Sequence, residues 1–168
     1  LNSLNIRLEL KSILYILKHS RTKVLIFHED YIDLVKQVIK LKKAKMIYII
    51  VLDDEKKSYN LKNIKNYEKI FHSLNTKDII DKFYFPKDEW DTLSLNYTSG
   101  TTGNPKGVLY HHRGGYLMCL NNQMVWKMGY HPIYLWTLPM FHCNGWCFPW
   151  TIVALAGTQI CLKSVSGK

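Results

Sequence analysis

The residue types with the clearest potential for chemistry lie together between positions 98 and 106. This nine-residue stretch holds four hydroxyls, two glycines, a proline and a lysine: Thr98, Ser99, Gly100, Thr101, Thr102, Gly103, Pro105 and Lys106. Glycines let backbone N–H groups approach a ligand closely, hydroxyls donate further hydrogen bonds, and a lysine supplies positive charge. The composition therefore predicts a loop that wraps an anion, with a polyphosphate as the expected guest.

The apolar runs on both sides of this loop predict a strand, the loop and then a second strand. A Walker A loop has glycine directly before its lysine, whereas Lys106 follows Pro105, and the G-x-G-x-x-G spacing of dinucleotide-binding loops is also missing. Asn104-Pro105 could begin a helix, but Gly107 and the apolar residues after it favour a strand. We therefore expect backbone amides and Lys106, rather than a helix dipole, to bind the anion.

Two stretches resemble the adenylate-forming, or AMP-binding, superfamily. Residues 97–107, Y-T-S-G-T-T-G-N-P-K-G, resemble its phosphate-binding signature, and residues 138–146, L-P-M-F-H-C-N-G-W, resemble the acyl-pocket segment of its acyl-CoA synthetase branch. The residues of the second stretch most resemble those of medium-chain fatty acid and methylmercaptopropionate CoA ligases. Asn5-Ile6-Arg7-Leu8 and the helix that follows resemble the same branch.

The resemblance implies a two-step reaction, in which ATP converts a carboxylic (fatty) acid to an acyl-adenylate and CoA then displaces AMP. It assigns the ATP phosphates to Thr98, Ser99, Gly100, Thr101, Thr102, Gly103 and Lys106. It assigns the acyl pocket to His142, Cys143, Asn144, Gly145 and Trp146. Mg²⁺ is expected among the phosphates, with Thr98 or Thr102 as its nearest protein groups and no other side-chain ligand. A Val at Gly103 is expected to be harmful if that position needs positive φ.

Family members are several times longer, so residues 1–168 are expected to be an internal portion of one N-terminal AMP-binding domain. The adenine, ribose and catalytic-lysine residues of the family, and its C-terminal lid domain, would then lie outside this chain. One alternative is another adenylating ligase, luciferase-like or acting on a carrier protein, although Phe141 to Trp146 favours a CoA ligase. A second alternative is an inactive truncated remnant that binds ATP-like anions.

The net charge of +10 comes from 23 basic and 13 acidic residues, and most of the lysines are scattered over predicted helix faces. Scattered lysines without a nucleic-acid-binding motif predict solvated surfaces, so no nucleic-acid partner is expected. The longest apolar run is too short to span a bilayer, and the four cysteines are expected to be reduced thiols in the cytoplasm. Oligomeric state is left open.

The remaining pattern predicts an α/β fold. Apolar residues recur at helical spacing from Leu8 to Leu17 and from Tyr31 to Leu41, the latter helix with Asp30 as a possible N-cap. Apolar runs at 23–27 and 46–52 predict buried strands, and this alternation indicates mostly parallel sheet segments flanked by helices. Further predictions are a helix at 67–74, a strand at 93–97, a helix at 114–128, and strands at 133–138 and 158–162.

Other chemistry-bearing residues favour structural roles. His111 and His112 have no partner acid in the pattern, so packing at the end of a strand is expected of them. His142, Cys143 and Cys147 could suggest zinc, but a second Cys/His pair is missing nearby.

Overall fold

Alternating helices and parallel strands build residues 8–85, one of two units into which the chain divides. This computed structural model describes residues 1–41, 45–53, 59, 63–74, 85–98 and 103–165. The elements of the unit are α1 (Leu10–His19), β1 (Val24–His28), a 3₁₀ turn (Glu29–Tyr31), α2 (Ile32–Leu41), β2 (Ile47–Val51), β3 (Ile64–Asn66) and α3 (Tyr67–Ser73). The sheet has the order β1-β2-β3 and is parallel throughout, as the alternating pattern predicts.

The core of this unit comes from apolar residues at helical spacing. The buried side chains of α1 and α2 are Ile13, Ile16, Leu17, Val35 and Val38. Asp30 is not the N-cap of the second helix, so that prediction is wrong. A 3₁₀ turn precedes α2, and the backbone N–H of Asp30 donates to Nδ1 of His28 at 3.3 Å.

The second unit joins residues 1–7 to residues 86–168 and contains both signature stretches. Its elements are β4 (Thr92–Thr98), β5 (Lys106–His111), α4 (His112–Val125), β6 (Ile133–Trp136), a 3₁₀ turn (His142–Cys147), α5 (Phe148–Ala154) and β7 (Thr158–Cys161). β4 and β5 pair antiparallel, and β6 and β7 pair parallel. Trp136 of β6 forms a small core with Phe148 and Ile152 of α5.

Several boundaries differ from the sequence-based predictions by one to three residues; for example, α4 ends at Val125 rather than at residue 128. α4 begins at His112 rather than Gly114, because His111 caps it and Nδ1 of His111 accepts from the N–H of Gly114 at 2.9 Å. β6 ends at Trp136 and β7 at Cys161, each short of its predicted end. Within the described part of the chain, no helix is both long enough and apolar enough to cross a lipid bilayer.

Candidate active site

The β4–β5 hairpin holds the two ends of the predicted phosphate loop together. Thr98 lies directly opposite Lys106 in the ladder, and Tyr97 lies opposite Gly107. Residues opposite each other in an antiparallel pair share one face of the sheet, with Cβ atoms about 5 Å apart. The Thr98 hydroxyl and the Lys106 ammonium, both on exposed residues, therefore stand at the same end of the hairpin. Ser99, Gly100, Thr101 and Thr102 lie outside the described residues.

Gly103 does not need positive φ, so the conditional expectation for its valine variant loses its premise. Its backbone is not left-handed, and an added Cβ would meet no atom within 4 Å. Asn104 and Pro105 lead directly into β5, which agrees with the predicted strand, loop and strand.

The predicted acyl-pocket stretch divides into exposed and buried side chains. His142 is exposed and Trp146 is 52% exposed, whereas Asn144 is only 2% exposed and Gly145 is buried. The amide of Asn144 joins β4, because its Nδ2 donates to Oγ of Ser94 at 3.2 Å. Its Oδ1 accepts from Oγ of Ser3 at 3.2 Å. Nothing is described for the side chain of Cys143.

The last three residues of this stretch and the next residue, Cys147, have a left-handed backbone. The φ angles of Asn144, Gly145, Trp146 and Cys147 are 45°, 59°, 54° and 64°. A left-handed conformation costs an L-residue about 1–2 kcal/mol, and glycine alone escapes that cost. Such strain persists only where the surroundings hold it in place, and it is often found at functional sites.

A cavity of about 390 Å³ lies between β5, the first turns of α4 and the left-handed turn. Its lining residues are Leu109, Tyr110, His111, Gly114, Gly115, Met118, Trp146 and Cys147. Trp146 is the one described side chain of the predicted acyl-pocket stretch that lines it. Met118 and Gly115 line the cavity but were not predicted from the sequence. The Gly114-Gly115 pair was the available sequence signal, since adjacent glycines in a helix suggest a close approach by another side chain. In the structure, a Cβ on Gly115 would approach Cδ2 of Leu93 to 2.6 Å.

His111 has the structural role that the sequence favours. Besides capping α4, its ring packs against Trp90 with the ring centroids 4.6 Å apart. Arg113 lies over the same indole and pairs with Glu89 at 2.8 Å. These contacts fix the start of α4 at the edge of the cavity.

One group of possible metal ligands lies in the other unit, where β1 and β2 end. Side-chain donor atoms of His28, Glu29 and Asp53 lie within 4.8 Å of one another. Nε2 of His28 is 2.8 Å from Oδ1 of Asp53, and the two oxygens of Glu29 accept from the N–H of Asp53 and the hydroxyl of Tyr59, both at 3.0 Å. These hydrogen bonds among the three residues connect the ends of β1 and β2, so a structural role accounts for the group.

The buried thiols of Cys119 and Cys147 are poor nucleophiles. Burial raises the pKa of the Cys119 thiol. Burial, and then charge repulsion from the Cys119 thiol, raise the pKa of the Cys147 thiol from 9.0 to about 11. At pH 8 a thiol of pKa 11 is about 0.1% ionised. Because the pKa of the Cys147 thiol is higher in the folded protein than in the unfolded chain, its contribution to the stability of the fold is retained below pH 9. That contribution falls as the pH rises from 9 to 11.

We expect iodoacetamide at pH 8 to label Cys161, which is exposed, much faster than Cys119 or Cys147 in the folded protein. Peptide mass spectrometry after timed quenching measures the three rates. Denaturation in urea should equalise them. Labelling of folded Cys147 at the rate of Cys161 would contradict the described burial.

Comparison with known proteins places the chain in a family. The family model for AMP-binding enzymes matches residues 1–166, and the chain belongs to this family. It is 41% identical to the peroxisomal acetate/butyrate–CoA ligase AAE7 of Arabidopsis thaliana, matching 100% of this chain and 31% of that protein. It is 39% identical to the peroxisomal trans-cinnamate:CoA ligase of Petunia hybrida, matching 100% of this chain and 32% of that protein. The chain therefore spans about a third of the length of these relatives.

Solved structures show the same fold at low sequence identity. A red-emitting luciferase from Phrixothrix hirtus superposes with a TM-score of 0.79 at 16% identity, over 99% of this chain and 32% of that one. The N-terminal domain of FACL13 from Mycobacterium tuberculosis gives 0.73 at 21% identity, over 98% of this chain and 38% of that one. The α/β fold expected of an N-terminal adenylate-forming domain is thereby confirmed.

Proposed function

We propose that this chain forms an internal part of the N-terminal domain of an ATP-dependent acyl-CoA ligase. The observation that carries the proposal is the hairpin, which sets Thr98 and Lys106 opposite each other at the ends of a loop rich in glycine and hydroxyls. The family membership and the relatives named as CoA ligases support it. The residues for adenine, ribose and the catalytic lysine would belong to further parts of the enzyme.

The reaction needs positioning and charge neutralisation rather than a protein nucleophile. A carboxylate oxygen attacks the α-phosphorus of ATP, pyrophosphate leaves, and the CoA thiol then displaces AMP from the acyl-adenylate. Lys106 and the loop hydroxyls, Thr98 among them, would hold the β- and γ-phosphates in line for departure. Fixed donors of this kind stabilise charge that develops in the transition state.

The loop also fits Mg²⁺ by the chemistry of its donors. Mg²⁺ prefers oxygen ligands and keeps several waters, using few protein groups beside substrate phosphates. The hydroxyl of Thr98 or Thr102 would be the nearest protein group to it, and when bound it would neutralise phosphate charge.

We assign the carboxylic acid to the cavity beside Trp146. The lining is largely apolar, and its volume lies in the range of small-molecule pockets. β5 links the two sites, because Lys106 begins the strand and Leu109 lines the cavity three residues later, about 10 Å along it. Relatives named for acetate, butyrate and 2-methylpropanoate make short acids the first substrates to test.

Two assays on the complete enzyme that contains this chain test the proposal. ATP–pyrophosphate exchange with straight-chain acids, benzoate and cinnamate detects adenylation. CoA-thioester formation separates a CoA ligase from a luciferase-like or carrier-protein enzyme. Absence of ATP–pyrophosphate exchange with every acid would favour the alternative that the chain belongs to an inactive, truncated protein that binds ATP-like anions.

We expect Trp146→Ala to admit longer or bulkier acids and His142→Ala to change mainly KM and chain-length preference. The indole lines the cavity. His142 does not line it, and its expected effect rests on the resemblance that assigns it to the acyl pocket. The measurement is kcat and KM for acids from acetate to decanoate. Trp126→Ala is the matched control, because this tryptophan is 67% exposed and does not line the cavity. Unchanged preferences with reduced thermal stability would make the stretch part of the core instead.

The compartment is a separate proposal. The sequence predicts the cytoplasm, whereas several relatives are named as peroxisomal. Fluorescence imaging of the tagged complete enzyme beside a peroxisomal marker decides between the two.

A further inference from the structure

Two buried side chains hold the backbone carbonyls of the left-handed turn. Nδ2 of Asn122, on α4, donates to the carbonyl oxygen of Trp146 at 3.0 Å and to Oγ1 of Thr151 at 3.2 Å. Oγ1 of Thr151, on α5, donates in turn to the carbonyl oxygen of Cys147 at 2.9 Å. Asn122 is 3% exposed and Thr151 is 1% exposed.

These bonds stand where the backbone needs external support. Asn144, Trp146 and Cys147 are non-glycine residues with positive φ, a conformation that persists only when neighbouring groups enforce it. Asn122 contacts the turn from one helix and Thr151 from the next. The chain Asn122–Thr151–Cys147 therefore joins both helices to two successive peptide groups of the turn.

The indole of Trp146 depends on this support. More than half of the side chain is exposed, so packing of the ring does little to fix its position. Its place at the cavity is set mainly by the direction in which the turn projects its Cα–Cβ bond. A small rotation of the turn would move the indole and change the shape of the cavity, without substitution of any residue that lines it.

We propose that Asn122 and Thr151 are positioning residues that set acid selectivity by holding Trp146 at the cavity. This inference rests on the proposed function, because the cavity must receive the acid. Neither side chain need touch the acid or ATP for this role. Loss of either donor should alter discrimination between acids and leave nucleotide binding unchanged.

The test compares Thr151→Val, which removes the hydroxyl at nearly constant shape, with Thr151→Ser, which keeps it. In the complete enzyme, Thr151→Val should change the ratio of kcat/KM between butyrate and octanoate by about three- to tenfold, with KM for ATP unchanged. Thr151→Ser should keep the wild-type ratio. Ile152→Val, at the neighbouring fully buried position, is the control for general loss of stability.

A double-mutant cycle with Trp146→Ala identifies the route of the effect. If Thr151 acts through the indole, Thr151→Val should not shift the ratio further once Trp146 is alanine. Asn122→Asp, which replaces the donor by an acceptor, should shift the ratio as Thr151→Val does and supplies the test if that variant does not fold.

A Thr151→Val enzyme with the wild-type ratio, or an equal shift in Ile152→Val, would overturn the inference. A Thr151→Val change that shifts the butyrate-to-octanoate ratio equally with and without Trp146→Ala would also overturn it. A wild-type enzyme that activates no carboxylic acid would overturn the proposed function first, and this inference with it.

Discussion

Replacing Lys106 by alanine is expected to slow acyl-adenylate formation about ten- to hundredfold. Charge-assisted hydrogen bonds contribute about 1.5–3 kcal/mol, and each 1.36 kcal/mol lost in the transition state is tenfold in rate. Lys106 is the exposed cation at the end of the hairpin, opposite Thr98. ATP–pyrophosphate exchange by the complete enzyme, at saturating acid, measures the effect.

A matched lysine variant separates this effect from a general loss of positive charge. Lys65→Ala removes an exposed lysine that also lies on a strand, β3, and should leave the exchange rate unchanged. Exchange by Lys106→Ala within twofold of the wild type would remove Lys106 from the phosphate site.

Replacing Gly145 by valine is expected to destabilise the fold by more than about 2 kcal/mol. Its φ is +59°, which costs about 1–2 kcal/mol for an L-residue and more for a β-branched one. An added Cβ would lie 2.8 Å from Cη2 of Trp136 and 3.2 Å from Cδ of Pro149. Trp136 has little room to move, because it is 5% exposed and its Nε1 donates to Gln159 at 2.9 Å. Overpacking of this kind adds about 1–3 kcal/mol.

Thermal unfolding of the complete enzyme measures the loss, with Gly129→Val as the comparison. Gly129 is not left-handed, and an added Cβ there would meet no atom within 4 Å. Gly145→Ala should fall between the two, because it adds the close contact without β-branching. Equal melting temperatures for the Gly145→Val and Gly129→Val proteins would mean that the turn is not held as described.

The two strands that flank the proposed phosphate loop could be predicted from sequence because their signals are local. Glycines, hydroxyls and a lysine between two apolar runs predict a strand, a loop and a strand, and the anion site in that loop stays a prediction. The sheet of the other unit was predictable for a similar reason, since residues 23–27 and 46–52 are apolar runs separated by a helical pattern. β3 was missed because three residues, Ile64 to Asn66, are too few to show a period.

The acyl-pocket stretch was less predictable because its conformation depends on distant partners. The sequence suggests a turn centred on Gly145, but nothing local predicts positive φ at Asn144, Trp146 and Cys147. Asn144 is polar and would be expected near the surface. Its burial depends on Ser3 and Ser94, which are 141 and 50 residues away in sequence.

The closure of the hairpin also bears on how tightly ATP can bind. Because β4 and β5 fix both ends of the loop, the entropy of bringing those ends together is lost on folding rather than on nucleotide binding. At the proposed site, a nucleotide would not have to bring those ends together, which favours affinity through preorganisation. Pairings such as Leu95 with Leu109, well back from the loop, would therefore contribute to nucleotide affinity at the proposed site without touching the nucleotide.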